Sequence, residues 1–376
     1  MAQHLEVPHH VVLVGGGHSH VEVLRRWARV PPPGARLTVV ADRARSVYSG
    51  MVPGFVAGQY RLDEIEIDVE RMARRAGAEW VEARVTGLDA GARLIRLHGA
   101  PPIAYATASF DVGSTVSGLD RPGVRQHALP TRPIAEFVER VDALIERARQ
   151  RPLFRLVVVG AGAGGVELAF AFRSRFDRLG QPRVSVLLLD QGPRVLPGYP
   201  GCAALRIERN AHSRGVGIRC DASVIEAHAD HLAMDNGEAL ACDTLVWVAG
   251  SASLPLFDDS GLEHDAQGYI NVRATLQAVG HDDIFATGDC ANLVNHPGLA
   301  KAGVYAVRQG PVLARNLEAR VSGRPQREFR PQRDFLSILN LGDGHAIAVK
   351  WGICAHGAWT WRLKDAIDRG FVGRFR

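Results

Sequence analysis

The sequence predicts an α/β fold built from two units of parallel strands and helices, followed by a short C-terminal module. Two observations lead to this prediction. Short runs of branched apolar residues recur along the chain, and two of them lead directly into glycine loops that helical patterns follow. Continuous apolar runs are typical of strands covered on both faces, as in a parallel sheet, and strand, glycine loop and helix together open a βαβ unit.

The composition narrows the class of protein. With 376 residues the chain is long enough for two or three domains, and 46% apolar residues with 40 glycines suit a globular α/β protein. No apolar run reaches the roughly 18 residues of a membrane-spanning helix. The N-terminal MAQHLEVPHH lacks the regions of a signal peptide, so a cytoplasmic location is expected. The net charge of +5 is diffuse and no zinc-finger or RNA-binding signature is found, so nucleic acid is not expected as a partner.

Five apolar runs are predicted to be strands. They are VVLVG at 11–15, LTVVA at 37–41, LVVVG at 156–160, VSVLLLD at 184–190 and TLVWVAG at 244–250. The first and third runs precede the glycine loops, whose first residues, Gly15 and Gly160, stand 145 positions apart. A chain with two such openings is expected to bind two dinucleotides, or to be an internal duplication that binds one.

The second loop carries the full dinucleotide fingerprint. LVVVGAGAGGVELAFAF places Gly160, Gly162 and Gly165 in the GxGxxG spacing between a strand and a helix. These glycines allow a tight turn, close approach to a pyrophosphate and close packing of helix on strand, and the helix N-terminus offers N–H groups to the phosphate. Downstream, Asp190 ends a strand where a carboxylate accepts from a ribose 2′-hydroxyl and repels a 2′-phosphate. This favours NADH over NADPH, although the nearby Arg194 weakens the preference.

The first loop departs from the fingerprint. VVLVGGGHSHVEVLRRW begins with Gly15, Gly16 and Gly17 but carries His20 in place of the last glycine, with His18 two residues earlier. Side chains two residues apart on a helix point about 200° apart, so the two histidines are not expected to chelate one metal ion. The third glycine serves helix–sheet packing rather than phosphate contact. The loop is therefore predicted to bind a dinucleotide despite the substitution, and no metal site is predicted.

Further segments indicate which dinucleotide. HDDIFATGDCANL at 281–293 ends its strand pattern in Gly288 and Asp289, and KAGVYAVRQGPVLARNL at 301–317 follows as a helix. With both loops, YSGMVPG, DVGSTVSGLDRPGV and LVWVAG, this order of motifs resembles the FAD-dependent pyridine nucleotide–disulfide oxidoreductase superfamily, in its NADH-dehydrogenase-like (type II) branch. More narrowly, GGGHSHVEVLRRW, YSGMVPGFVAGQY and WRLKDAIDRGFVGRF resemble the flavoproteins found fused ahead of selenide, water dikinase.

The resemblance implies two Rossmann-like domains, the second inserted in the first, that bind FAD and NAD(P)H. The implied FAD-binding residues are Gly15, Gly16, Gly17 and Ser19 at the pyrophosphate, Asp42 at the ribose, Val85 at the adenine, Gly113 and Ser114 in DVGST, Gly288 and Asp289 at the ribityl chain, and Ser49, Gly50, Met51, Val52, Pro53, Lys301 and Ala302 beside the isoalloxazine. The implied NAD(P)H-binding residues are Gly160, Gly162, Gly165, Asp190 and Gly250.

Two residues are expected to be catalytic. Glu167 matches a glutamate that lies near the nicotinamide in relatives, and Lys301 stands at the start of the helix that faces the flavin. Each has an ordinary alternative: a carboxylate favoured by the helix dipole for Glu167, and a surface lysine for Lys301.

The expected function is oxidation of NAD(P)H, preferably NADH, by an FAD-dependent oxidoreductase. Disulfide reductases of this architecture carry a redox cysteine pair beside the flavin, where VYSGMVPGF at 47–55 has Tyr48, Ser49 and Met51. Thiol exchange is therefore not expected, and electrons should pass directly from nicotinamide to flavin and on to a quinone-like or selenium-linked acceptor. The resemblance implies a selenide, water dikinase as a partner.

Two alternative functions stay open. One is a flavin-bearing interaction protein that serves selenophosphate synthesis. The other is a sulfide–quinone-reductase-like enzyme, against which the lack of cysteine in residues 43–201 counts. The five cysteines are Cys202, Cys220, Cys242, Cys290 and Cys354, and no two lie within four residues of each other. An odd number in a chain expected in the cytoplasm predicts free thiols, mostly buried and inert.

The domain boundaries are placed where composition changes. Proline-containing GLDRPGV and acidic DDSGLEHDAQG mark the crossings between the two units. The FAD domain is therefore predicted from 1–118 and 268–330, the NAD(P)H domain from 119–267 and a C-terminal module from 331–376.

The C-terminal module is predicted to end in an amphipathic helix. GAWTWRLKDAIDRGFVGRFR spaces Trp359, Leu363, Ile367 and Phe371 at i, i+4 intervals, and the basic residues Arg362, Lys364 and Arg369 lie between them. The apolar stripe has three candidate partners: the FAD domain, a membrane surface or another protein. The sequence does not indicate an oligomeric state.

Overall fold

A computed structural model describes residues 8–181 and 183–376 of the chain. The α-helices in these ranges are α1 (His18–Trp27), α2 (Val52–Val56), α3 (Leu62–Ile65), α4 (Val69–Arg75), α5 (Val124–His127), α6 (Ile134–Arg149), α7 (Ala163–Arg178), α8 (Gly201–Arg214), α9 (Gly303–Val321) and α10 (Ala358–Gly373). Short 3-10 turns lie at Ser49–Met51, Pro255–Phe257 and Gly288–Cys290.

The strands follow in three groups along the chain. The first group is β1 (His9–Val14), β2 (Ala35–Ala41), β3 (Arg45–Val47), β4 (Glu66–Asp68), β5 (Glu79–Glu82), β6 (Val85–Asp89), β7 (Leu94–Leu97), β8 (Ala100–Ala104), β9 (Thr107–Phe110) and β10 (Thr115–Val116). The second group is β11 (Ala128–Pro130), β12 (Phe154–Val159), β13 (Val184–Leu189), β14 (Val216–Arg219), β15 (Val224–Ala227), β16 (His231–Met234), β17 (Ala239–Ala241), β18 (Thr244–Trp247) and β19 (Ser251–Ala252). The third group is β20 (Ile270–Val272), β21 (Ile284–Ala286), β22 (Ala291–Leu293), β23 (Ser337–Asn340), β24 (Ala346–Lys350) and β25 (Ile353–Gly357).

The first sheet is parallel throughout, in the order β21-β9-β1-β2-β5. Its central strand β1 is apolar on both faces, with Val11 to Val14 almost completely buried, because α1 and the other helices cover the sheet. Strand β21 follows the second unit in the chain, so the second unit is inserted into the first. The antiparallel strands β6, β7 and β8 form a separate small sheet.

The second sheet has the parallel order β11-β18-β12-β13-β14. An antiparallel sheet of β15, β16 and β17 accompanies it, and the short pair of β10 and β19 joins the two units. All five strands predicted from apolar runs are present as β1, β2, β12, β13 and β18, which confirms those predictions.

The C-terminal module consists of the antiparallel sheet β23-β24-β25 and helix α10. Helix α10 begins directly after β25 and is fixed to the sheet by Thr360, whose hydroxyl donates to the carbonyl of Ala346 at 2.5 Å. Within 8–181 and 183–376, no helix is long and apolar enough to cross a membrane. The domain boundaries at 118, 267 and 330 stay predictions.

Candidate functional site

Both glycine loops lie at the carboxyl end of a parallel strand, where dinucleotides bind in this class of fold. In the first loop Gly15 has a φ of +92°, a left-handed conformation that favours glycine, and a Cβ at Gly17 would fall on the carboxylate of Asp111. Both positions therefore require glycine, and the loop can approach a phosphate closely.

In the first loop, His20 contacts the turn on which a third glycine would otherwise pack. In the second loop a Cβ at Gly165 would collide with the carbonyl oxygen of Gly160, so the helix lies directly on the turn. In the first loop Nδ1 of the buried His20 donates to the carbonyl of Gly15 at 2.7 Å, and Nε2 accepts from the Ser109 hydroxyl at 2.9 Å. Burial lowers the pKa of His20 to about 4, so the ring is neutral, as this bonding pattern requires. In the part of the chain that the structure describes, no cluster of ligands suited to a metal ion is found.

Asp111 is a residue of the site that the sequence reasoning missed. It follows β9, and one carboxylate oxygen accepts the backbone N–H groups of Ser19 at 2.7 Å and His20 at 3.2 Å. This places a buried carboxylate at the N-terminus of α1. Burial raises its pKa to about 7, although the two N–H donors act against the rise. The signal was present in DVGST, where an acid directly follows an apolar strand.

Ser19 lies at the loop as predicted, but its donors have protein partners. Its N–H is bound by Asp111, and its hydroxyl donates to the carbonyl of Ala306 in α9 at 2.7 Å. Among the described residues, no acceptor is found for the backbone N–H groups of Gly17 and His18. These two groups, rather than Ser19, are therefore free for a pyrophosphate.

The segment predicted to line the flavin, which begins at Ser49, lies close to the N-termini of α1 and α9. The hydroxyl of Ser49 is 3.4 Å from Nε2 of His18, and a Cβ at Gly303, the first residue of α9, would lie 3.2 Å from the same hydroxyl. Asp289 raises the pKa of His18, but burial outweighs it and lowers that pKa to about 4, so His18 is neutral. The structure thus brings the first loop, Ser49 and the start of α9 together. Met51, Val52 and Pro53 continue from Ser49 and Gly50 into the buried start of α2.

Asp289 and Ser114 both contact the guanidinium group of Arg132. The carboxylate of Asp289 forms an ion pair with Arg132 at 2.8 Å and accepts a bond from the Ser114 hydroxyl at 3.4 Å, and Arg132 also donates to Ser114. Gly288 has a φ of +66°, and its N–H donates to Gln309 of α9 at 2.7 Å. Both residues of the ATGD motif are therefore held at the same edge as the first loop.

The predicted adenine end lies at the carboxyl edge of the first sheet. Asp42 directly follows β2 and is exposed, and Val85 begins β6. The chain between β5 and β6 is fixed to β2 because the N–H of Ala83 donates to the carbonyl of Ala41 at 2.9 Å. Gly113 has a φ of +72° in the turn between Asp111 and Ser114.

The second loop opens into a cavity of about 610 Å³. Gly160, Gly162, Asp190, Gly250 and Lys301 are among the residues that line it. This brings together the residues predicted for the nicotinamide nucleotide, apart from Gly165, which packs the helix.

Asp190, which is predicted to bind the ribose, is fixed in the wall of this cavity. Its two carboxylate oxygens accept the N–H groups of Ala161 at 2.5 Å and Gly192 at 2.7 Å. Arg194 points elsewhere, because its guanidinium donates to the carbonyls of Pro197 and Tyr199 at 2.9 and 3.0 Å. The arrangement favours a free 2′-hydroxyl, hence NADH.

Lys301 lines this cavity, but its ammonium group contacts other groups of the protein. Its ammonium lies 3.8 Å from the ring centre of Tyr269 and donates to the carbonyl of Ala291 at 2.5 Å. Burial lowers its pKa. Lys301 is thus neither a plain surface lysine nor aimed at Ser49 and Gly50. Ala302, next to it, is the N-cap of α9.

Glu167 of α7 belongs to a buried charged cluster that includes α10. Its Oε1 accepts the N–H of Asn340 at 2.8 Å, and burial raises its pKa to about 7 against the opposing influence of Lys364. Lys364 donates to the carbonyl of Gly50 at 3.0 Å and is 3.0 Å from Asp368. Burial alone would lower the pKa of Lys364, but Glu167 and Asp368 outweigh it and raise that pKa.

Tyr48 completes this cluster on the flavin side. Its hydroxyl donates to Asp368 at 3.2 Å, and its ring packs against Phe371 of α10 with 4.6 Å between centres. Neither Lys364 nor Asp368 was predicted from the sequence as a residue of the site, because helical spacing alone does not reveal which face of α10 points inward.

The apolar stripe predicted for α10 is divided in the structure. Phe371 is buried, but Trp359, Leu363 and Ile367 are exposed. Packing of the whole stripe on the FAD domain is therefore wrong. Of the three basic residues between the apolar ones, Arg362 and Arg369 are exposed, but Lys364 is partly buried. The inward face is built instead on Thr360, Lys364, Asp368 and Phe371, and Lys364 and Asp368 form an ion pair there at 3.0 Å.

The prediction that all cysteines are free thiols is also wrong. Cys202 of α8 and Cys354 of β25 form a disulfide across 152 residues of sequence. Spacing along the chain could not predict this pair, because the fold brings together two residues from different units. Cys220 is a partly buried free thiol, and Cys242 and Cys290 are buried free thiols.

Comparison with known proteins identifies the family. The profile of the pyridine nucleotide-disulphide oxidoreductases matches residues 9–310. The chain belongs to this family. Similar proteins include the demethylphylloquinone reductase NdbB of Synechocystis, which is 24% identical over 91% of this chain and 87% of its own length. A type II NADH:quinone oxidoreductase of Staphylococcus epidermidis is 22% identical over 95% of this chain and 94% of its own length.

Solved structures share the fold. The sulfide:quinone oxidoreductase of Aquifex aeolicus superposes with a TM-score of 0.82 at 16% identity, covering 98% of this chain and 91% of its own. NDH2 of Plasmodium falciparum in complex with NADH also gives 0.82, at 12% identity, covering 96% and 97%. The Rossmann-like α/β class predicted from the sequence is therefore confirmed.

The residues present fit the two cofactors that are typical of the family, FAD and NADH. At the first loop, Gly15 and Gly17 leave no room for a side chain and the N–H groups of Gly17 and His18 are free. At the second, the cavity is lined by glycines and by the acidic Asp190. The protein is a flavin-dependent pyridine nucleotide oxidoreductase, and the proteins similar to it include type II NADH:quinone oxidoreductases.

Proposed function

We propose that this flavoprotein oxidises NADH and delivers the electrons to a quinone-like acceptor without a redox dithiol. The observation that carries the proposal is the cluster around Lys364. Lys364 donates to the carbonyl of Gly50, in the segment predicted to line the flavin, and its charge acts electrostatically on Glu167, on the helix of the nucleotide loop. Both half-reactions would take place beside it.

Each of the two glycine loops would bind one of the two nucleotides. Gly17 and His18 would hold the FAD pyrophosphate by their N–H groups, with Asp289 at the ribityl chain and Ser49 to Pro53 beside the ring. Gly160, Gly162 and Asp190 would hold NADH. When bound, FAD accepts a hydride from the nicotinamide and releases its electrons to the acceptor. Holding both nucleotides on one protein would replace a bimolecular encounter by a positioned one.

The buried cluster would handle the proton that the reaction requires. Reduction of a quinone to a quinol takes up two protons, and the hydride of NADH accounts for only one. Glu167, with a pKa of about 7, can hold the other near neutral pH. Lys364, Asp368 and Tyr48 continue the chain of hydrogen-bonding groups on the Gly50 side.

A lipid membrane is the proposed docking surface of the C-terminal module. Trp359, Leu363 and Ile367 of α10 are exposed, and Trp351 and Ile353 at the turn between β24 and β25 are 73% and 70% exposed. Basic side chains accompany them: Arg362 is exposed on α10, and the ammonium of Lys350 lies 4.2 Å from a Trp351 ring centre. Apolar rings with cationic neighbours suit an anionic membrane surface, from which a lipophilic quinone could be taken up.

The selenium-linked acceptor and the selenide, water dikinase partner are supported by motif resemblance alone and stay predictions. Among the alternatives, the sulfide–quinone-reductase-like enzyme gains one observation, the Cys202–Cys354 disulfide. Against it, the segment predicted to line the flavin, residues 48–53, contains no cysteine.

An acceptor experiment tests the proposal. The FAD-loaded protein is reduced anaerobically with NADH, and flavin reoxidation is followed after addition of a short-chain quinone, selenite or buffer. We expect bleaching by NADH and rapid reoxidation by the quinone. Reoxidation by selenite alone would replace the quinone with a selenium acceptor. Failure of NADH to bleach the flavin would favour the interaction protein. Bleaching only in a parallel sample that receives sulfide in place of NADH would favour the sulfide–quinone-reductase-like enzyme.

A further inference from the structure

The Cys202–Cys354 disulfide ties the C-terminal hairpin to the inserted unit. Cys202 is the second residue of α8, and Cys354 is the second residue of β25, with 6.3 Å between their Cα atoms. The sulfur of Cys202 lies 3.7 Å from the carbonyl oxygen of Gly352, in the turn of the β24–β25 hairpin. The bond therefore holds the far end of the hairpin against α8.

Other contacts hold the module at its opposite end. The guanidinium groups of Arg178 and Arg214 donate to the carbonyls of Gly342 at 2.6 Å and Leu341 at 2.7 Å, and Tyr199 bonds Ser337 at 2.8 Å. These contacts lie at β23 and the loop after it. Opening the disulfide would therefore leave the module attached while the hairpin turn loses its covalent tie.

The surroundings of the bond favour thiol exchange. Both cysteines are only partly buried, so a reductant has access. Cys202 lies in the first turn of a 14-residue helix, where the helix dipole stabilises a thiolate. Arg206 stands one turn further along α8 and acts electrostatically on His356, which shares a strand face with Cys354. The segment of α8 that follows Cys202 thus carries a positive charge.

We propose that Cys202–Cys354 is a thiol–disulfide exchange site that a dithiol reductant opens, which releases the β24–β25 hairpin from α8. A thiolate of the reductant attacks the sulfur of Cys354, and the Cys202 thiolate leaves because its helix terminus stabilises it. The second thiol of the reductant then resolves the mixed disulfide. The protein gains two thiols, and the reductant becomes a disulfide after giving two electrons and two protons.

Opening the disulfide would also affect membrane docking, an effect that rests on the proposed function. The released turn carries Trp351 and Ile353, two of the exposed apolar residues of the proposed membrane surface. The redox state of the bond would then set how firmly this part of the surface is held.

Mass spectrometry and hydrogen exchange test the exchange site without any turnover. Protein prepared without reductant is alkylated in denaturant before and after treatment of the native form with dithiothreitol. We expect three modified cysteines before treatment and five after it. Amide exchange of residues 346–357 should rise on the order of tenfold after reduction and in Cys202→Ser. Cys220→Ser is the matched control: its amide exchange should match that of the wild type, and it should show one alkylated cysteine fewer both before and after reduction.

Two results would overturn the exchange site. One is alkylation of all five cysteines in protein never exposed to reductant. The other is hairpin exchange that is identical in the oxidised, reduced and Cys202→Ser forms. Neither result depends on NADH or an acceptor, so failure here is distinguishable from failure of the proposed oxidoreductase activity.

Discussion

At the residue scale, two side chains adapt the first loop. His20 bonds the Gly15 carbonyl that a third glycine would pack against, and it needs no charge to do so. Asp111 places a carboxylate at a helix N-terminus that also has to accept a pyrophosphate. Two anions at one helix terminus repel each other. The protonation of Asp111 should therefore affect both the stability of the apoprotein and the binding of FAD.

Substitution of Asp111 should remove a pH dependence of stability. The folded pKa of about 7 exceeds the ordinary value of 3.8, so the folded state keeps a proton that the unfolded chain loses. The contribution is fully present below pH 3.8 and is lost as pH rises through about 7. In Asp111→Asn, the fall in unfolding free energy across this window should be shallower by about 1 kcal/mol per pH unit. Denaturant titrations of the apoprotein measure it.

The control for this experiment is Asp42→Asn, an exposed carboxylate at the same sheet edge. It should leave the pH dependence of the wild type unchanged. Parallel stability curves for the wild type and Asp111→Asn would mean that Asp111 is not the titrating group.

Glu167 gives a second residue-scale prediction, for catalysis. If it donates the solvent proton, quinone turnover should fall as pH rises above about 7, because the donor is then ionised. Glu167→Gln should lower turnover about tenfold or more and flatten this profile, since a general acid contributes at least that much. Glu146→Gln, on the exposed face of α6, is the control. A pH profile of the Glu167→Gln variant that keeps the same inflection would rule out the role.

At the element scale, α10 is the part whose orientation the sequence did not determine. The i, i+4 spacing of Trp359, Leu363, Ile367 and Phe371 predicts one apolar face, and a helix is present there. Charge pairing overrides that pattern, because Lys364 and Asp368 form an ion pair beside Tyr48 and can therefore face inward. Such pairing depends on residues far away in the sequence, so periodicity could not predict it.

The exposed face of α10 should bind membranes. Replacing both Leu363 and Ile367 by aspartate removes two apolar contacts and adds repulsion from anionic lipid. Sedimentation with phosphatidylglycerol-containing vesicles should show binding weakened roughly tenfold or more. Leu153→Asp, an exposed leucine outside the module, should have no effect. Equal binding of the double variant and the wild type would contradict the membrane proposal.

At the scale of the whole molecule, the sequence predicted the parts that follow from local pattern. The five strands and both glycine loops are local features, and they lie where predicted. The Cys202–Cys354 disulfide, the capping by Asp111 and the cluster of Glu167 with Lys364 join residues that are far apart in the sequence. Contacts of this kind arise from the way distant segments meet in the fold, which no window of sequence contains.

In the proposed reaction, electrons pass directly from NADH to FAD, with no dithiol between them. The most direct test of this step is anaerobic stopped-flow reduction by NADH of an FAD-loaded variant in which all five cysteines are serine. Circular dichroism and flavin content confirm that the variant is folded and loaded. We expect a flavin reduction rate within about twofold of the wild type, because position rather than sulfur governs hydride transfer. Collapse of that rate, with recovery when Cys202 and Cys354 alone are restored, would contradict it.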